Sequence, residues 1–451
     1  MRLKEKTGSG ENHLLLCVTV FIIGFWVFND FAIRYLYGYA LMGLVLIVEL
    51  ACFGVVISGT KIKWWFSALV GAAAVFSLLP SSNYNSLTFA LTISMVIFWL
   101  YALLAKPDRR QIFTAFRLVK GTSLLLSLYL IVMKIRPSLY WNYVFPHLSE
   151  VSQQEAERLM HDGYGVPVGA SAIYADYLIT VGILILFGEF LFLVRRGQTR
   201  RKLWIGGQLA IFFAAMLAEN RRTEVLMIVL TLAFLFLLLM NPRHERDFTR
   251  KFGLLSAVAA LVVLAGFVCL QVGLLDRFVK LFTEITTKSA TQSEMSGGRT
   301  TLWATAWELF REHPLLGIGW EQFITRNPYA HEVHNSYLQF LCETGVVGFV
   351  LLSFPILRLL GLSLSQLRRL IWQEGESFQA LKLFNLVGTG MQLFFFLVNF
   401  LDPAFYHQNY FCFYSFAMIL VSDCYEQEQA LCPAPVFTVR PADGNQRAVP
   451  S

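Results

Sequence analysis

Residues 203–240 read LWIGGQLAIFFAAMLAENRRTEVLMIVLTLAFLFLLLM: two apolar runs, 203–219 and 223–241, joined by Asn220-Arg221-Arg222. A helix needs roughly 17–25 residues to cross a bilayer, and both runs are long enough. Comparable runs recur at 13–30, 35–58, 64–80, 86–105, 113–135, 171–194, 252–274, 345–362, 383–401 and 408–423. The pattern predicts an all-α polytopic membrane protein of about 12 transmembrane helices.

Composition agrees. Hydrophobic residues make up 56% of the 451 and charged residues only 15%, against about 25% charged in soluble domains. The net charge of +7 does not indicate nucleic acid, because the basic residues fall in short clusters between apolar runs. Seven cysteines, an odd number without regular spacing, indicate neither a disulfide framework nor a zinc site. The first apolar run follows Arg2, Lys4 and Lys6 without a small-residue cleavage site, so it is read as an anchor that stays in the protein.

Orientation follows from Lys and Arg. With the N-terminus cytoplasmic, that side receives Lys61, Lys63, Lys106, Arg109, Arg110, Arg195, Arg196, Arg200, Arg201, Lys202, Arg243, Arg246, Arg250, Lys251, Arg368 and Arg369. The opposite connections 81–85 and 402–407 contain neither residue. The positive-inside rule therefore places both termini in the cytoplasm. The chain divides into helices 1–9 within 1–274, including an outer loop 136–170, then a large outer loop 275–344, helices 10–12 within 345–423, and a Pro- and Gln-containing tail 424–451 read as disordered. In the large loop Leu302, Trp303, Ala306, Leu309 and Phe310 have helical spacing, and Pro314 with Gly317-Ile318-Gly319 ends that helix. Its apolar face suits a lid lying over the membrane surface.

Three features could carry chemistry. Arg221 and Arg222 lie on the outer face, against the charge rule. They read either as snorkelling anchors or as an anion clamp, since guanidinium offers planar paired donors to phosphate; Glu224 is placed to orient one of them. Arg299 follows Gly297-Gly298 and opens a helix, where free N–H groups add to anion attraction. His334 can exchange a proton near neutral pH, with Glu332 or Glu343 as the alternative base. His331 and His334 have H-x-x-H spacing but no convincing third ligand, so no metal is assigned.

The stretch from Arg299 to Gly348, with PLLGIG at 314–319 and HNSYLQFLCETGVVG at 334–348, resembles the signature of the bacterial O-antigen ligase and O-antigen polymerase superfamily. The outer arginine turn and Gly163-Tyr164-Gly165-Val166-Pro167-Val168-Gly169 agree in kind, although this chain has two adjacent arginines where one is usual. The resemblance implies a GT-C-like glycosyltransferase of the bacterial inner membrane, with its active site facing the periplasm and no metal or cofactor. Its donor would be an undecaprenyl-pyrophosphate-linked glycan; its acceptor would be a hydroxyl of the lipid A core or of another glycan. His334, Arg299, Arg222 and Arg221 would be catalytic, and Arg221, Arg222, Arg299, Asn335 and Tyr337 would bind substrate. His334, Arg299 and at least one of Arg221 and Arg222 should then converge on one pocket.

The length, the lack of a large soluble C-terminal domain and the GYGVPVG stretch favour ligase over polymerase or protein-directed oligosaccharyl transfer. From another class, a secondary transporter would use polar groups near the midplane, for which Glu49, Asp176 and Glu189 are the candidates.

Overall fold

The computed structural model describes residues 12–30, 35–53, 59–79, 82–83, 86–161, 172–194, 198–219, 221–239, 299–407 and 410–431. The expected span 252–274, the first part of the large loop and the GYGVPVG stretch lie outside these residues. Among the described residues every regular element is helical.

The helices are α1 (Leu14–Asp30), α2 (Tyr35–Phe53), α3 (Lys61–Ser77), α4 (Ser86–Leu104), α5 (Arg109–Ile135), α6 (Pro137–Tyr143), α7 (Glu150–His161), α8 (Ala172–Gly188), α9 (Thr199–Ala218) and α10 (Arg222–Leu239). After the undescribed segment come α11 (Arg299–Glu312), α12 (Phe323–Arg326), α13 (Ser336–Ile371), α14 (Glu376–Val398) and α15 (Phe411–Leu431). A π-turn, Glu189–Leu193, continues α8. Helix starts follow capping chemistry: Thr60 accepts from the Lys63 amide and Asp108 from the Gln111 amide, at 3.2 and 2.6 Å.

Among the described residues four helical stretches are long and apolar enough to cross a membrane: Arg109–Ile135, Tyr174–Leu193, Ser336–Ile371 and Glu376–Val398. Their burial differs. α14 is buried along most of its length and packs on α8, α10, α13 and α15. Outer helices instead expose large apolar side chains such as Ile47, Val75, Leu125 and Leu237. A bundle whose periphery is apolar suits lipid rather than water. Gly182 lets α8 approach its neighbours: a Cβ there would lie 2.8 Å from Phe212 and 2.9 Å from Ser123 Oγ. Small residues serve this purpose where helices pack in membranes.

Several boundaries differ from expectation: α13 runs on to Ile371 rather than 362, and α14 begins at Glu376 rather than 383. α13 begins at Ser336 rather than near 345, because Asn335 caps it, accepting from the Leu338 amide at 3.0 Å. α15 continues to Leu431, beyond the expected limit at 423. Ion pairs anchor this extension, from Lys63 to Glu426 at 3.4 Å and from Arg369 to Glu428 at 3.1 Å. Residues 432–451, the rest of the expected tail, lie outside the described residues. The segment 136–170, expected on the outer face, contains α6 and α7, packed around Tyr140, Leu148, Ala156 and Leu159.

The three carboxylates that would serve a transporter are not gathered. Glu49 lies beside His13 at 3.7 Å, Glu189 pairs with Lys120 at 2.5 Å, and Asp176 faces Arg221.

Candidate active site

The GIG and ETG motifs form one interlocked unit. Gly345 has φ 64° and ψ −169°, which breaks the helical hydrogen bonding of α13. The carbonyls of Cys342 and Glu343 accept instead from the amides of Ile318 and Gly319, at 3.0 and 2.9 Å. In return, the Val346 and Val347 amides donate to the carbonyls of Pro314 and Leu315, at 2.9 and 3.3 Å. Backbone lies on backbone, so no side chain fits between. A Cβ on Gly317 would lie 2.3 Å from the Glu343 carbonyl carbon, and one on Gly345 would lie 2.2 Å from the Leu315 carbonyl oxygen. Both glycines also have positive φ, which L side chains rarely adopt.

Glu343 secures the same loop from within. Its carboxylate is fully buried and accepts from the Glu321 amide at 2.8 Å and the Phe323 amide at 3.1 Å. Gln339 adds a third donor at 3.3 Å. A carboxylate so occupied is poorly placed to receive an acceptor proton, so the fallback base passes to Glu332. Beside it Glu321, buried near Glu343 and Glu332, is pushed up to about 9 by burial first and those two carboxylates second. It therefore carries a proton at neutral pH.

The amphipathic helix α11 has the face expected of it. Leu302 and Ala306 are buried with Ile318, Phe323, Val333 and Cys342, and Trp303 and Leu309 pack alongside. Trp303 Nε1 donates to the Val333 carbonyl at 3.0 Å. The helix thus rests on the start of α13, with Arg299 as its first residue and His334 next to Val333.

His334 is held tightly by its neighbours. It has φ 55°, the left-handed region that costs a non-glycine residue about 1–3 kcal/mol. The capping Asn335 follows, and the Ser336 amide donates to the Asn399 carbonyl at 2.9 Å while its hydroxyl donates to Asn399 Oδ1. Tyr337 OH donates to the Phe396 carbonyl at 3.0 Å. Asn335 and Tyr337, expected to bind substrate, are here engaged in fixing the backbone on either side of α13's start. His334 is lowered to about 4, by burial first and then by Arg299, His407 and His331. The imidazole is neutral at pH 7 and able to accept a proton, although a weaker base than an exposed histidine.

On the bundle side, Arg221 turns inward rather than snorkelling. Its side chain is nearly buried, and Nε lies 3.7 Å from Asp176 Oδ2 on α8, a carboxylate with no exposure. Glu219 and Glu224 are also buried and interact electrostatically with Arg221. The side chain of Arg222 and the residue Asn220 lie outside the described set.

Asp402, in the connection from α14 to α15, joins the two sides. Burial pushes its carboxyl up; His407, Arg221 and Arg299 oppose that, while Glu332 reinforces it. These groups come from α10's start, α11, the loop before α13 and the 402–407 connection, yet all act on one carboxyl. Glu332 Oε2 lies 3.4 Å from His407 Nε2. An aromatic wall completes the region, with Tyr177 and Tyr410 stacked at 4.6 Å and His407 5.1 Å from Tyr410.

Thus Arg299 and His334 lie within electrostatic reach of each other, and Arg299 and Arg221 both reach Asp402. Sequence reasoning missed Asp402 and His407, although two ionisable residues in a short connection between apolar helices were a usable signal. It placed Asp176 among transporter features and passed over Glu219, the carboxylate just before the arginine turn. His331 is exposed. Among the described residues no group of three His, Cys, Asp or Glu side chains is set to hold a metal ion.

Comparison with known proteins agrees with the resemblance drawn from the motifs. Residues 207–353 match the family described as O-antigen ligase. That segment contains Arg221, Arg222, Arg299 and His334, but neither Asp176 nor Asp402. The exopolysaccharide production protein ExoQ of Rhizobium meliloti (strain 1021) is 28% identical over 135 residues, covering 26% of this chain. The match spans 29% of that relative's length. Together these support the O-antigen ligase and polymerase superfamily, whose members process glycans.

Proposed function

We propose that this chain is an O-antigen ligase. It transfers a glycan from undecaprenyl pyrophosphate to a hydroxyl of the lipid A core, at the periplasmic face of the bacterial inner membrane. The reading includes a GT-C-like bundle of about 12 spans with both termini cytoplasmic, as the distribution of Lys and Arg favours. What supports it is that Arg221, Arg299, His334, His407 and Asp402, from separate parts of the chain, lie within electrostatic range of one another, with Arg221 held by Asp176 at 3.7 Å.

The chemistry follows from these groups. Neutral His334 accepts the proton of the acceptor hydroxyl. The oxygen attacks the anomeric carbon as the bond to the pyrophosphate oxygen breaks, inverting that centre. Negative charge then grows on the departing pyrophosphate, where fixed guanidinium groups stabilise it. Asp176 holds Arg221 in place, and α11 presents Arg299. Apolar helix faces would accommodate the polyprenyl chain.

The second reading is polymerisation of glycan repeats, favoured by the relative named for exopolysaccharide production. Both reactions use the same residues and differ in the acceptor. Purified protein supplied with a defined lipid-pyrophosphate glycan, and either lipid A core or a second donor molecule, distinguishes them. Transfer to lipid A core alone supports the ligase; chain growth on the second donor supports the polymerase; transfer to neither overturns both.

A further inference from the structure

At the other end of the bundle is a second arrangement of charges that the proposed transfer does not use. Asp176 and Glu189 lie on α8 and its π-turn, separated along the axis by about 20 Å at 1.5 Å per residue. Around Glu189 is a cavity of about 390 Å³ between α5 and α9. Its polar lining is Arg117, Lys120, Glu189, Arg201 and Gln208.

The sequence spacing creates this cavity. Phe113, Arg117 and Lys120 fall on one face of α5, while Arg201, Trp204, Ile205 and Gln208 fall on one face of α9. The helices meet closely further along, where Ser123 and Phe212 crowd Gly182. The π-turn replaces regular helix at the cavity itself, a feature frequent at functional sites.

The charges do not balance. Lys120 Nζ is 2.5 Å from Glu189 Oε1, which pairs the only carboxylate among the described residues of the lining. Arg201 directs one donor to the Leu193 carbonyl at 3.5 Å, and Arg117 is exposed. Two guanidinium groups therefore face one space with most of their donors available. That is a setting for an anion with several oxygens. At the rim Trp204 is 64% exposed, and Phe113, Leu186, Leu193 and Ile205 add apolar lining. An apolar rim beside a basic pocket suits a phosphate joined to hydrocarbon better than a free ion. Tryptophan is also at home at the level of lipid headgroups.

We infer that the cavity between α5 and α9 binds the headgroup of an anionic phospholipid, with its phosphate on Arg117 and Arg201 and its acyl chains along Trp204. Lys120 and Glu189 hold the floor as a closed pair.

The test is native mass spectrometry of the purified full chain with phosphatidylglycerol, phosphatidylcholine or inorganic phosphate. Wild type should retain phosphatidylglycerol in preference to phosphatidylcholine. The doubly substituted Arg117→Ala, Arg201→Ala protein should lose roughly tenfold in that retention, as expected for charged hydrogen bonds. Arg200→Ala, which removes a neighbouring exposed charge outside the cavity, should retain the lipid. Phosphatidylglycerol should raise the Tm of wild type, and raise that of the double variant less; this also verifies that the variant folds. Unchanged retention in the double variant overturns the proposal, as does equal loss in Arg200→Ala. Displacement of the lipid by inorganic phosphate at equal concentration would make it a free-anion site and would also overturn it.

Discussion

Asp176 and Arg221 face each other across α8 and the α9–α10 turn, 3.7 Å apart, with the carboxylate fully buried. An arginine at the junction of two apolar helices could have reached for the membrane surface. Here it is drawn inward, with Glu219 and Glu224 close enough to reinforce the attraction. Removing one partner of a buried ion pair costs more than the pair contributes, because the other charge is left behind.

Asp176→Asn should therefore leave Arg221 less firmly placed and lower kcat/KM by about tenfold or more, equivalent to roughly 1.4 kcal/mol. The check is a double-mutant cycle with Arg221→Lys. Effects that simply add would show that the two residues do not act together.

His334→Ala should abolish turnover yet still bind the lipid-linked donor, because the base acts on the acceptor proton. Arg299→Ala and Arg221→Ala should weaken donor binding and slow transfer together, since phosphate contacts exist before and during the reaction. Lysine replacements should restore only part of the loss, lacking the planar paired donors. Donor binding measured beside turnover decides. Near-normal turnover in His334→Ala would move the base to Glu332.

Without donor, His334 should stay neutral down to about pH 4. Its folded value lies below its unfolded value of about 6.5, so the unfolded chain binds more protons over that interval. Stability from this group is present in full above the unfolded value and is lost as pH falls from about 6.5 through about 4. His334→Gln should flatten that part of the stability–pH curve. Binding of a pyrophosphate donor offsets the repulsion from Arg299 and should raise the titration midpoint, seen by NMR of labelled histidine; an unmoved midpoint would separate His334 from the donor.

Gly345→Ala should be among the most damaging small substitutions in the chain. It combines a positive φ, worth about 1–3 kcal/mol, with a contact of 2.2 Å on the rigid Leu315 carbonyl. Thermal unfolding in detergent should show a lower Tm and loss of the folded fraction. Gly361→Ala, in the same helix with open space around it, is the control and should be nearly neutral.

Transfer should proceed in EDTA, since arginines in the proposed site take the part of a cation at the pyrophosphate. The measurement is turnover with chelator and after adding Mg²⁺ or Mn²⁺. Activity abolished by EDTA and restored by metal would falsify that division of labour.

The sequence by itself determined much of the architecture, because hydropathy is a local property. Runs such as 203–219 and 383–401 are apolar whatever they pack against, and a bilayer requires helix of such runs. The motifs were legible for a similar reason: Gly317, Gly345, Arg221, Arg299 and His334 stand out by type. The tertiary structure decided what each one meets. Nothing local marks Asp176 as the partner of Arg221, since that choice depends on how α8 lies against the α9–α10 turn. Glu343 looks like a base in sequence and turns out to bind two loop amides. Asn335 and Tyr337 look like ligands, and packing also gives each a structural partner: Asn335 caps α13 and Tyr337 ties it to the Phe396 carbonyl. Asp402 gained its place only when the α14–α15 connection, which also carries His407, came within electrostatic reach of Arg221 and Arg299. A buried charge or hydrogen-bonding group is defined by its partners, and packing, not order along the chain, selects them.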